Sequence, residues 1–183
     1  MIRKAVSRRI MDRMERKNTR FFRCLQIQIL ADLAADSFGC GRISIPKNSP
    51  ERALKKYAKY TVSCMETQEA DPDRLFRDAA RLGAKIRRLS GLTDKRDLQR
   101  LVFLLYRNIY ITMKGELPGE ISVTDCYFSR IYSPEQCRLM SFVDSGIISG
   151  IFGGGRLRFS QRITEGCECC MAAFSKEIRK RVE

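Results

Sequence analysis

Three cysteines stand within four positions in the stretch ITEGCECCMAAF, residues 163–174, behind a Thr-Glu-Gly turn. A thiol can attack as a nucleophile, ligate a soft metal or fill space as a small hydrophobe. Cys126, Cys137, Asp144 and Glu165 lie in the same C-terminal third. A metal ion or iron–sulfur cluster would need three or four thiolates. Cys126, Cys137, Cys167, Cys169 and Cys170 supply enough if the strands around them pair. Positions 169 and 170 face opposite sides of a strand, so only one of that pair joins a given cluster without a bulge. The paired Cys-x-x-Cys spacing of a zinc ribbon or ferredoxin is missing, so the pattern is a weaker metal signal than either motif. Plain packing of the thiols stands beside that reading. Cys24 and Cys64 fall in helical apolar patterns and are expected in the core, and Cys40 is a loop thiol.

There is no histidine anywhere in the chain. This excludes Ser-His-Asp and Cys-His catalysis, His-based zinc sites and a proximal-His haem. Proton transfer falls to Asp, Glu, Lys, Tyr or Cys.

These groups must be positioned by an α+β chain. The spacing predicts helices from Thr19 to about Phe38, from Ser49-Pro50 to about Glu66, from Asp71-Pro72 to near Gly91, and from Thr93 to Gly115. After GELPGE, the alternating EISVTDCYFSRIY reads as a strand, and Ser133 before Pro134 caps a helix. RLRFSQRI and CECCMAAF follow as two strands of a hairpin. The organisation expected is a basic segment over 1–18, a helical bundle over 19–118, a strand–helix–strand–strand unit over 119–175 and a basic tail over 176–183.

With 183 residues, 44% of them hydrophobic, the chain can bury a core without disulfides. The start MIRKAVSRRIMDRMERK fits neither a secretory signal nor a transit peptide, so a cytoplasmic, reducing home is expected. Net charge is +14, but residues 1–23 hold nine Lys or Arg against two acids, while 119–174 is near balance. No zinc-finger spacing, RNP-like motif or helix-turn-helix accompanies the charge, which argues against nucleic-acid recognition. Ile2, Val6, Ile10 and Met14 oppose arginines, so the start could lie on an anionic membrane surface, pack on a partner or stay solvated.

The segments VTDCYFSRIYSPEQC and VDSGIISGIFGGGRLRFSQRITEGCECCMAAF, within residues 123–174, resemble the L-2-amino-thiazoline-4-carboxylic acid hydrolase-like family. In that resemblance Cys126 matches a strand thiol and Cys137 a helix thiol. Asp144 matches the helix acid, Gly166 the turn glycine, and Cys170 the last thiol ahead of an aromatic, here Phe174. Cys167 and Cys169 fall outside the pattern. The resemblance implies a small-molecule ligand and hydrolysis of a cyclic C–N or C–S bond. Asp144 and Glu165 would be the acid–base pair and Cys126 or Cys170 a nucleophile. Arg158 and Arg162, on one strand face, would hold the substrate carboxylate, with turn amides near Gly166 as further donors. The bland alternative makes Glu165 a solvated turn residue and Asp144 the cap of a local bend. The tail is also similar to the C-terminal region of plant carotenoid isomerases of strigolactone synthesis, which implies an iron-dependent isomerase. Against these small-molecule readings stand a cysteine-ligated metal or redox module and a basic nucleic-acid or membrane adaptor.

Overall fold

The computed structural model describes residues 9, 11–13, 15–16 and 19–175. Ile2, Val6, Ile10, Met14 and the tail 176–183 lie outside the described residues.

Helix starts follow local capping chemistry. α1 (Arg20–Phe38) begins after Thr19, whose side chain makes no capping bond, and stops at Gly39 in the left-handed region at φ 72°. α2 (Pro50–Thr67) begins with Ser49 Oγ accepting from the Arg52 amide. α3 (Pro72–Ser90) begins with Asp71 accepting from the Asp73 amide at 2.9 Å. α4 (Lys95–Asn108) is capped by Asp94 rather than Thr93, because the carboxylate reaches the Arg96 amide at 2.9 Å.

The helix expected to run to Gly115 stops at Asn108. Tyr110 takes φ 58°, the chain reverses, and Ile111–Gly115 becomes a strand, β1. β1 pairs antiparallel with β2 (Gly119–Cys126) and satisfies backbone groups that would otherwise form an open edge. A short 3₁₀ turn over Tyr127–Arg130 leads to α5 (Pro134–Phe152). Its start is a reciprocal capping box: the Gln136 amide donates to Ser133 Oγ, and the Ser133 amide donates to Gln136 Oε1. β3 (Arg156–Gln161) and β4 (Cys170–Ser175) complete an antiparallel sheet in the order β1-β2-β4-β3. The fold is α+β.

Ile121 and Val123 of β2, Leu157 of β3 and Cys170, Ala172 and Phe174 of β4 are buried on the inner face. Toward this face the Leu157 amide donates to Ser145 Oγ of α5 at 2.9 Å. On α3, α5 packs backbone to backbone. A Cβ on Gly150 would stand 2.1 Å from the Ala80 carbonyl oxygen, and one on Gly146 2.4 Å from that of Phe76. One buried cluster joins Cys24 and Ile27 of α1 to the sheet residues, so bundle and sheet share a core. Cys24 and Cys64 belong to it, as expected. Among the described residues, no helix is long and apolar enough to cross a membrane.

Candidate functional site: an apolar cavity with one carboxylate

α3 and α5 touch through glycine, but the helices around them do not close completely. A cavity of about 600 Å³ remains, walled by successive turns of α1 (Phe22, Leu25, Ile29), by Leu82 and Ile86 of α3, and by parts of α4, α5 and β2. Its lining is overwhelmingly apolar. The polar exceptions include Asp144 of α5, Tyr106 of α4, Tyr57 of α2, and Cys126 and Cys137.

Asp144 is the chemically distinctive member. It accepts a hydrogen bond from the Tyr106 hydroxyl at 2.9 Å. Its partly open side faces the cavity rather than bulk water. Burial therefore dominates and pushes its carboxyl up to about 6, against the opposing pull of the Tyr106 hydroxyl and the Arg162 charge. Tyr106 itself is driven well above the usual phenol range by burial and the neighbouring carboxylate, so it remains a donor.

Aromatic packing holds the adjoining wall. Tyr57 meets Phe128 edge to face at 5.9 Å, and Phe128 stacks on Tyr132 at 5.2 Å. Thr61 Oγ1 lies 2.9 Å from the Ala58 carbonyl and 2.6 Å from the Tyr132 hydroxyl. With its single proton on the carbonyl, Thr61 accepts from Tyr132. At the rim Gln26 of α1 donates to the Leu105 carbonyl at 2.7 Å and accepts from Asn108 at 3.0 Å, which fixes α1 on α4.

The structure brings only some of the sequence candidates together. Asp144, Cys126 and Cys137 share the cavity wall. Burial pushes the Cys126 thiol up to about 12, although the Phe128 and Ser129 amides oppose the shift, and burial raises Cys137 too. Both stay protonated near neutral pH, unlike activated nucleophiles. Cys170 points into the core from β4, where its sulfur accepts from the Ile163 amide at 3.3 Å. It fills space between sheet and helix.

Glu165 and Asp144 do not form a pair across the cavity. Glu165 ends the 3₁₀ turn Ile163–Glu165 and is held by Arg138 at 2.5 Å and Arg162 at 3.7 Å. It latches that turn to the first half of α5. Gly166 follows at φ 89° and closes the turn through its amide to the Ile163 carbonyl, away from the cavity lining. Arg158 and Arg162 do not share a face. The register slips between Phe159 and Gln161, and that bulge reverses the alternation before Arg162. Arg158 is exposed, whereas Arg162 lies over the Phe159 ring with its side chain only 15% exposed.

The five cysteines proposed for a metal are not gathered at one point. Among the described residues no three Cys, Asp or Glu side chains converge on a point that could hold a metal ion. β4 begins at Cys170, leaving Cys167 and Cys169 in the preceding loop.

Sequence reasoning missed the tyrosines and the α1 wall. Tyr106 sits within a helix of Leu and Val residues. Phe21, Phe22, Leu25 and Ile29 recur at helical spacing on α1, on a face other than that of Cys24, Ile27 and Ala31; that second stripe was the available signal. No protein family, curated protein or solved structure matches the chain.

Proposed function

We propose that the chain binds a small, largely apolar molecule in the cavity, with a cationic or hydrogen-bond-donating end on Asp144. The single carboxylate in a largely apolar hollow of about 600 Å³ carries this reading. The volume suits a drug-sized molecule. Burying Asp144 costs free energy, as its raised carboxyl shows. A ligand cation or donor would recover part of that cost, so the same group supplies affinity and orientation. A ligand carboxylate would meet repulsion at that point and is disfavoured.

The test is a series of alkyl ligands of equal length ending in amine, alcohol or carboxylate, read by thermal shift and calorimetry. Amines should bind saturably and best, carboxylates worst, and Asp144→Asn should remove the preference. Equal binding of all three end groups, or an unchanged preference in Asp144→Asn, refutes the reading.

Hydrolysis of a cyclic C–N or C–S bond is a second reading, favoured by one observation. A carboxyl near 6 is matched to accepting a proton from water at neutral pH, and Cys126 stands in the same wall. Turnover of a thiazoline carboxylate should then collapse in folded Asp144→Asn. Wild-type rates in that variant would exclude Asp144 as the base.

A further inference from the structure

α1 is apolar on both sides. Cys24, Ile27 and Ala31 are buried, while Phe21, Phe22, Leu25 and Ile29 are between 41% and 55% exposed on the opposite side. These four fall within about a 100° arc of the helix, given 3.6 residues per turn. Three of them, Phe22, Leu25 and Ile29, also line the cavity. The exposed stripe is therefore the lip of the cavity. Leu82 and Ile86 form the α3 side of that cavity, and Leu89, one turn further along the same face, is 75% exposed. Cations surround this lip. Arg13 lines the cavity; Arg16 and Arg20 are exposed just ahead of Phe21, and Arg88 precedes Leu89.

We propose that this lip docks on an anionic lipid bilayer, so that the cavity ligand is an amphiphile drawn from the membrane. The route to the ligand rests on the cavity reading above; the docking itself does not. Charge complementarity selects the partner. Phenylalanine and leucine would enter the boundary between headgroups and acyl chains while the arginines meet lipid phosphates and carboxylates. A second copy fits worse, because a two-fold contact would oppose Arg16 and Arg20 with their own copies in a chain of net charge +14. A folded partner seated here would plug the entrance, whereas a bilayer covers the stripe and supplies the ligand. Amines concentrate in anionic leaflets for the same electrostatic reason, which matches a cavity whose one carboxylate favours a cationic end.

The test is co-sedimentation of the full chain with vesicles of phosphatidylcholine alone and of phosphatidylcholine with phosphatidylserine. Binding is expected to the mixed vesicles and to weaken as salt rises. Phe21→Ser and Leu89→Ser lie outside the cavity lining and should each weaken binding about tenfold. Arg16→Glu and Arg20→Glu should each weaken it about fivefold or more. All four should keep wild-type circular dichroism and wild-type affinity for a soluble short-chain amine. That separates loss of docking from loss of the cavity. Equal binding to both vesicle types, binding to neither, or a solution dimer that shields Phe21 would overturn the proposal. If vesicle binding behaves as stated while no amine binds, docking stands and the ligand route falls.

Discussion

Helix α5 has two neighbours that meet it in opposite ways. Along α3 it presents Gly146 and Gly150, whose missing side chains let backbone lie on backbone with no room for one carbon. Toward α1 and α4 it presents Met140, Val143, Asp144 and Ile147, larger side chains that leave a hollow unfilled. Small residues make the rigid side and large ones the open side. Close contact between helices comes from matched surfaces, not from bulk. A carboxylate on the helix that carries this rigid seam, aimed into an unfilled space, is held by one hydrogen bond from Tyr106. Such an arrangement suits recognition better than stability.

The largest expected effect lies in the seam. Gly150→Ala improves helix propensity by about 1 kcal/mol. The new Cβ, however, would meet the Ala80 carbonyl at 2.1 Å, and backbone cannot step aside cheaply. A net loss of about 3 kcal/mol or more is expected in urea unfolding. A neutral result would mean the two helices are not in this contact.

Next comes Asp144→Asn, with the opposite sign. A buried acid whose folded value lies above its unfolded one binds protons more readily when folded. Its penalty is absent below about pH 4 and fully present once pH exceeds about 6. The wild type should therefore lose stability relative to Asp144→Asn as pH rises through that window. The variant should be more stable by about 2–3 kcal/mol above pH 7. Unfolding curves that coincide across pH 4–8 would show that Asp144 carries no such strain.

A paired substitution on α5 sharpens the contrast. Ile148 is fully buried and outside the cavity lining, so Ile148→Phe should overpack and cost about 1–3 kcal/mol. Val143 faces the hollow, so Val143→Phe should change stability by less than about 1 kcal/mol while blocking ligand binding. Equal costs would mean the hollow is not open to a larger side chain. The smallest effect belongs to Glu165→Gln. It removes partly exposed ion pairs to Arg138 and Arg162, and about 1 kcal/mol or less should be lost with ligand affinity unchanged.

Helix starts were readable because a cap acts over three residues. Ser49-Pro50, Asp71-Pro72 and Ser133-Pro134 mark where three of the helices begin. β1 was not readable: no Pro or Gly interrupts the chain between Leu98 and Gly115, and only pairing with β2 makes the stretch from Ile111 extended. The Arg158–Arg162 face failed for a related reason. Strand alternation predicts a shared face until a bulge intervenes, and the bulge is written in the pairing with β4 rather than in β3 itself. Asp144 was singled out by the resemblance as the helix acid, whereas nothing in the spacing of α4 marked its partner Tyr106.

Local sequence alone decided the α+β class, the main helix starts, the absence of histidine chemistry and which stripes turn inward. Those properties depend on residues a few positions apart. Whether an inward stripe meets a neighbour or an empty space was decided only by how the helices came together. Leu82 and Ile86 have the same helical spacing in either case, and the open space lies beside the glycine contact between α3 and α5, bounded by Phe22, Leu25 and Ile29 of α1.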